Sequence, residues 1–147
     1  MPTVSVDYET LSELRYQIRR FLRVRELSAR AAGIEPQQYL VLLQIKGVER
    51  QGPATIATLA ERLQVRHHAA VQLVDRLVRL GLVERRRYGP DRRAVTVRLR
   101  PAGEAVLRRL AMQSLAELET EGPELVSSLR RLILNSNSSG RSPARAR

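Results

Sequence analysis

Seven arginines lie between positions 85 and 100 of this chain, at positions 85, 86, 87, 92, 93, 98 and 100. Glu84 and Asp91 are the acids in the same segment, so residues 82–100 hold about +5 of the chain's net charge of +11. Like charges at this density repel one another, and the segment therefore indicates a polyanionic partner, either nucleic acid or an anionic membrane surface. Binding of this segment to a DNA duplex would be strongly favourable, because the arginines displace condensed counterions and fit a narrow minor groove.

A second set of polar side chains precedes this segment. Ala70, Leu73, Val74, Leu77 and Leu80 recur at helical spacing and predict an apolar face for a helix over about 66–80. The side chains pointing the other way, which could enter a major groove, are Arg66, His67, His68, Gln72 and Arg76. Gln72 could bond an adenine edge, Arg66 a guanine, and the two histidines a base or a phosphate. A solvated polar face is the alternative interpretation.

Other chemistries find little support in the sequence. Cysteine is absent, which excludes disulfides and thiolate sites. His67 and His68 project about 100° apart on a helix, and no third ligand lies at zinc-like spacing. With neither a nucleophile motif nor a glycine-rich phosphate loop, we expect no enzyme activity, no metal and no cofactor. Without an apolar run of membrane-spanning length or a signal-like N-terminus, we expect a cytoplasmic protein.

Apolar periodicity and turn residues predict the elements that must position these side chains. Helices are predicted over 7–33, 36–47, about 56–64 and 66–80, strands over 82–87 and 93–99, and helices over 101–119 and 124–134. Thr55 is predicted to cap the third helix, and the segment "TEGPE" to separate the last two. Residues 135–147 have no apolar period and predict a basic, disordered tail.

This order predicts a mainly α fold with a small β-hairpin wing. Residues 34–100 form a winged helix-turn-helix unit, while helices 7–33 and 101–134 come from opposite ends of the chain with long apolar stripes. A chain of 16.7 kDa would bury such stripes most readily against a second copy of itself. The predicted interface comprises Leu11, Leu14, Ile18, Leu115, Leu118, Leu129 and Leu132. A twofold axis between two copies pairs their helices over about 66–80, the predicted recognition helices. This arrangement predicts a pseudo-palindromic operator.

Several motifs in this order resemble the multiple-antibiotic-resistance regulator (MarR) family, whose members are dimeric winged helix-turn-helix transcription factors. They are "LVDRL" at 73–77, "GLVERR" at 81–86, "DRRAVTVRL" at 91–99 and "PAG" at 101–103, with "PQQYLVLL" at 36–43 resembling the helix before the motif. The resemblance covers residues 7–134. It departs from the family where Gln64 replaces a frequent Gly, Arg66 replaces a frequent Ser and Arg100 replaces a frequent Thr.

The DNA contacts expected of such a domain can be assigned residue by residue. Arg87, Asp91, Arg92 and Arg93 belong to the wing, and Arg92, beside the turn, is the residue predicted to enter the minor groove. The resemblance implies that Asp91 holds a neighbouring arginine in position by a bidentate pair. Thr55, with the N-terminus of its helix, and Arg85 are the predicted phosphate contacts. These contacts position the protein without specifying sequence.

The resemblance also implies regulation by a small molecule. Family members commonly release DNA when a small, often anionic or aromatic, effector binds between the dimer helices and the winged module. In this chain the corresponding pocket would lie near Arg15, Tyr16, Arg19 and Tyr39. The solvent-exposed edge of an amphipathic helix, with no effector, is the alternative interpretation of these side chains.

The predicted function is a homodimeric, sequence-specific DNA-binding transcriptional regulator, a repressor of the MarR type. An architectural nucleic-acid binder with little sequence preference is the alternative, supported by the basic wing and the "RSPARAR" tail. A winged helix that binds only protein is disfavoured by the basic wing. Membrane-surface binding is disfavoured because the charge lies on a hairpin, away from any apolar helical face.

Overall fold

The architecture was established from a computed structural model that describes residues 5–87 and 95–140. Five α-helices and three short strands follow one another within these described residues. In order they are α1 (Tyr8–Ala31), α2 (Pro36–Val48), a 3-10 turn (Glu49–Gln51), β1 (Ala54–Thr55), α3 (Ile56–Leu63), α4 (His67–Arg79), β2 (Val83–Arg87), β3 (Val95–Leu99) and α5 (Pro101–Gly140). The predicted fold class, mainly helical with a small wing, is confirmed.

The strands form one antiparallel sheet with the order β1-β3-β2. Val83 pairs with Leu99 and Arg87 with Val95, so β2 and β3 make the predicted hairpin. Strand β1 pairs Ala54 with Val97 at the other edge of β3. The sequence pattern predicts a loop for residues 54–55, and this prediction is wrong. A strand of two residues has no detectable period, and this one forms only because it pairs with residues more than forty positions away.

The chain divides into two compact units, Met1–Val24 with Ser114–Arg147, and Arg25–Gln113. The second unit, Arg25–Gln113, is called the winged helix unit from here on. It holds an aliphatic core built from α2, α3, α4, the sheet and the first turns of α5. Its fully buried side chains include Leu42, Leu59, Val74, Leu77 and Val97. Residues 25–33 and 101–113 pack in this unit, so the assignment of all of 7–33 and 101–134 to dimerisation stays a prediction.

Local hydrogen bonds explain where several helices begin. Thr10 N–H donates to Asp7 Oδ1 over 3.0 Å at the start of α1, and this bond holds the pKa of the Asp7 carboxyl below its usual value. Pro36 occupies the first turn of α2, where its missing N–H leaves no bond unmade.

Lys46, in the last turn of α2, lies 2.9 Å from Glu104 of α5. This bond to Glu104, together with one to Glu49, raises the pKa of Lys46.

The predicted break between two C-terminal helices is wrong. Helix α5 is continuous from Pro101 to Gly140, with Pro123 inside it. A proline removes one helical hydrogen bond, and interactions with a neighbouring helix can offset that loss. Here Arg20 of α1 binds Glu121 over 2.8 Å, and Thr120 Oγ1 donates to Ala116 O over 3.5 Å in the turn before the proline.

Helix α5 also runs further than the sequence pattern predicts. Residues 135–140 are helical rather than part of a structureless tail. Ser136 Oγ donates to Leu132 O over 2.9 Å, and Asn135 Nδ2 lies 3.4 Å from Asp7 Oδ2, so polar side chains extend the helix where the apolar period ends. Residues 141–147, the rest of the predicted tail, lie outside the described residues. None of the helices in the described ranges combines the length and apolarity needed to span a bilayer.

Candidate nucleic-acid interface

Helix α4 presents the predicted row of polar side chains to solvent. Its buried residues are Ala70, Leu73, Val74 and Leu77, four of the five positions that the apolar period predicts. The fifth, Leu80, follows the last turn of α4 as its C-cap and is 52% exposed, so its assignment to the apolar face is wrong. Arg66, His67, His68, Gln72 and Arg76 are all exposed. Their side chains make no hydrogen bond or ion pair with any residue that the structure describes. The row is therefore available to a ligand, and its contacts with bases stay a prediction.

The turn that leads into α4 departs from the usual backbone preferences. Gln64 adopts φ 56° and ψ 44°, in the left-handed region, and its Nε2 donates to Glu61 O over 2.7 Å. Arg66 is the N-cap of α4 and makes no side-chain capping bond, as expected for a residue without an acceptor. The first N–H groups of α4 therefore receive no capping bond from the Arg66 side chain.

Helix α3 is capped as predicted, but the cap uses the hydroxyl that the sequence analysis assigns to phosphate. Thr55 Oγ1 accepts from Thr58 N–H over 3.1 Å and donates to Thr58 Oγ1 over 3.0 Å. In the free protein both hydrogen-bonding roles of this hydroxyl are thus engaged within α3. A phosphate at Thr55 would have to be held by the backbone N–H groups of the first turn.

The arginines of the wing are divided by the sheet register. Glu84, Arg86 and Arg98 share one face of the hairpin, where Glu84 lies opposite Arg98. Arg86 Nε binds Glu84 Oε1 over 2.7 Å. Arg85 projects from the other face, the side of the buried Val83 and Val97, and its guanidinium binds the carboxylate of Asp75 on α4. These pairs reduce the mutual repulsion of the arginines in the free protein.

Asp75 is a functional candidate that the sequence analysis misses. The sequence predicts a phosphate contact for Arg85, and the family resemblance implies that Asp91 holds a neighbouring arginine. In the structure Asp75 of α4 holds a wing arginine, Arg85, and so joins the wing to that helix. Ten residues and a helix-to-strand turn separate the two, so no local spacing could have revealed the pair. Asp91, Arg92 and Arg93 lie outside the described residues, while Arg87, the last residue of β2, is exposed.

The residues predicted to line an effector pocket fall into two environments. Tyr39 is only 6% exposed and belongs to the core of the winged helix unit. Arg15, Tyr16 and Arg19 are exposed on α1. A separate cavity of about 220 Å³ lies between α1 and α5 in the other unit, lined by Gln17, Arg20, Phe21, Leu118, Thr120, Glu121, Gly122, Glu124 and Leu125. None of the four predicted residues contributes to it.

The predicted interface residues are mostly accessible. Leu11, Ile18, Leu115, Leu118 and Leu129 are exposed, and Leu132 is half-buried. Leu14 is only 9% exposed, so it packs within its own protomer rather than on a free surface. As for metals, the described part of the chain contains no group of three or more histidines and acids able to hold an ion.

Comparison with known proteins agrees with this architecture. The MarR family model matches residues 32–94. The crystal structure of a MarR family transcription regulator superposes with a TM-score of 0.70 at 22% identity, over 90% of this chain and 89% of that one. Apo MarR from E. coli gives 0.66 at 24% identity, over 90% and 98% of the two chains. The resemblance predicted from the sequence motifs is confirmed.

A third structure is similar in the same way. It is a S. aureus MepR mutant bound to an oligodeoxyribonucleotide, with a TM-score of 0.64 at 17% identity, over 93% of this chain and 100% of that one. At these identities the structural matches establish the fold. A search of curated proteins finds no match.

Proposed function

The chain carries a MarR family module at residues 32–94 within the fold of MarR family transcription regulators, and from this premise we propose that it is a sequence-specific DNA-binding transcriptional regulator. The observation that carries the proposal is the exposed row on α4, Arg66 to Arg76, beside a wing whose charge is strongly positive. A family match of this kind implies a regulator rather than an enzyme.

In the proposed complex, α4 lies in a major groove, which is about 12 Å wide and admits a helix. Gln72 bonds an adenine edge and Arg66 a guanine, while the histidines at the start of α4 contact a base or a phosphate. The wing lies along the DNA phosphate backbone through Arg87, Arg92 and Arg93, and Arg92 enters the minor groove. Sequence preference then comes from α4, and most of the affinity comes from the wing.

The proposed assembly is a homodimer that represses transcription from a pseudo-palindromic operator. Support comes from the exposed aliphatic side chains of α1 and α5 and from the DNA-bound MepR structure of the same fold. A twofold axis would place two α4 helices in successive major grooves about 34 Å apart. Such a regulator would act in the cytoplasm, where its operator lies. A small effector that binds the exposed Arg15, Tyr16 and Arg19 of α1 would release it from DNA.

Selection of bound sequences from a random duplex pool, at stated salt, tests this proposal. We expect an inverted repeat whose half-sites are centred about one helical turn apart, and a preference over random DNA of at least about 10³-fold. Uniform recovery of all sequences would support the alternative, an architectural binder held by its basic wing. No binding to any duplex in dilute buffer would refute both functions.

One arginine of the wing gives a quantitative prediction. Arg92→Ala is expected to weaken operator binding and to lower the slope of log K against log salt by about one unit, because one phosphate-neutralising charge is lost. Fluorescence anisotropy over a series of salt concentrations measures both quantities. Arg130→Ala, on α5 outside the winged helix unit, removes the same charge and should leave the slope unchanged. An unchanged slope in Arg92→Ala would contradict the minor-groove assignment.

A further inference from the structure

The ion pair between Asp75 and Arg85 joins two elements that must contact DNA together. Asp75 lies on α4 between the buried Val74 and the exposed Arg76, one helical turn after Gln72. Its side chain is 34% exposed, and that of Arg85 is 38% exposed. The pair therefore lies at the border between the core of the winged helix unit and the polar row on α4. A charge-assisted bond in this position is shielded from water on one side.

The sheet side of the pair is firmly anchored. Arg85 pairs across the hairpin with Val97, which is fully buried, and lies two residues after Val83, which is 1% exposed. The backbone of β2 is thus fixed at this point by β3, while the guanidinium reaches out to α4. The same strand ends at the exposed Arg87. The position of β2 relative to α4 therefore decides where Arg87 lies relative to the polar row on α4.

From this geometry we propose that Asp75 is a positioning residue for DNA recognition, which acts through Arg85 to fix the wing relative to α4. The inference rests on the proposed DNA-binding function and deepens it. Arg85 is then committed to Asp75 rather than to a phosphate. The carboxylate, which would otherwise repel the DNA backbone beside Gln72, is neutralised by the arginine that it holds.

The sign of one substitution separates positioning from simple charge. Asp75→Asn removes a negative charge from the DNA-facing border, so by charge alone it would strengthen binding to every duplex. If Asp75 positions the wing, the same change keeps α4 and the wing from contacting the selected duplex together. It then lowers the preference for that duplex over a scrambled one by about tenfold, on the scale of typical coupling energies. Asp75→Glu keeps the charge and the pair, and should retain most of that preference.

The chain offers a matched control. Glu84 also binds a wing arginine, Arg86, but both residues lie on β2 and the pair does not join the wing to α4. Glu84→Gln removes the same charge and should raise affinity for both duplexes while leaving their ratio within about twofold. Arg85→Gln breaks the link from the sheet side, so the double variant Asp75→Asn, Arg85→Gln should lower the ratio no further than Arg85→Gln does.

Fluorescence anisotropy with the two duplexes, at two salt concentrations, measures these ratios, and thermal unfolding verifies that each variant is folded. Should Asp75→Asn fail to fold, Arg85→Gln gives the same reading. The inference is overturned if Asp75→Asn raises both affinities equally, as Glu84→Gln does, or if the two substitutions act additively. If the wild-type chain shows no preference between the duplexes, the proposed function fails first, and the positioning role fails with it.

Discussion

At the scale of single residues, the backbone of Gln64 is under strain. It is the one residue other than glycine with a positive φ in the part of the chain that the structure describes. The left-handed conformation of an L-residue is unfavourable by about 1 kcal/mol, because its Cβ crowds the following carbonyl. The bond from Gln64 Nε2 to Glu61 O offsets part of this strain. The resemblance to the MarR family implies a frequent glycine at this position, which agrees with the observed conformation.

Gln64→Gly is therefore expected to raise the free energy of unfolding by about 0.5 kcal/mol, the relief of strain less the greater freedom of glycine in the unfolded chain. Urea denaturation measures the difference. Gly81 provides the opposite control, since it has φ 72° and a Cβ there would meet nothing within 4 Å, so Gly81→Ala should lower stability by about 1 kcal/mol through the backbone alone. A Gln64→Gly variant less stable than the wild type would mean that the bond to Glu61 outweighs the strain.

At the scale of elements, the start of α5 is packed directly on the backbone that leads into the wing. Arg100 N–H donates to Leu82 O over 2.9 Å. A Cβ on Gly103 would lie far inside contact distance of the same carbonyl oxygen, against backbone rather than a movable side chain. Glycine is required here because the helix and the segment before β2 approach too closely for any side chain. This contact explains the "PAG" motif physically.

Gly103→Ala is expected to destabilise the protein by about 3 kcal/mol, since the clash can be relieved only by displacing α5 or the residues before β2. Gly47, inside α2, is a matched control because a Cβ there would meet nothing within 4 Å. Gly47→Ala should instead stabilise the helix by up to about 1 kcal/mol. Thermal unfolding of the two variants, measured side by side, tests the prediction. Equal effects of the two substitutions would contradict the close approach.

The elements also separate what local sequence determines from what it does not. The apolar period of α4 and the cap at Thr55 can be predicted correctly, because both depend on residues within one or two turns. Strand β1, the helical path through Pro123 and the Asp75–Arg85 pair cannot, because each depends on a partner distant in sequence. The site is therefore predictable as a set of exposed side chains, but not as a network of contacts.

At the scale of the whole molecule, one of the two units exposes a row of aliphatic side chains on α5. Leu115, Leu118, Leu125, Leu129 and Leu132 follow one another on α5 at spacings typical of helices that pack side by side. Leu115 is 62% exposed and Leu129 is 47% exposed. Burying a leucine side chain stabilises an interface by roughly 2 kcal/mol. Packing of this leucine row against the same row of a second protomer is therefore the most favourable way to bury it.

Leu115→Asp and Leu129→Asp are accordingly expected to convert the proposed dimer into a folded monomer, because each places a carboxylate in this leucine row. Leu14 is unsuitable for this test, since it is buried within the protomer and a carboxylate there would destabilise the protomer itself. Sedimentation equilibrium should give twice the chain mass of 16.7 kDa for the wild type and the single mass for both variants. Leu80→Asp, at a leucine 52% exposed on the winged helix unit, should remain dimeric.

Because an inverted repeat is read by two α4 helices at once, the monomers should also lose operator affinity by a large factor. A variant proven monomeric that binds the operator like the wild type would show that the twofold arrangement is not what recognises DNA.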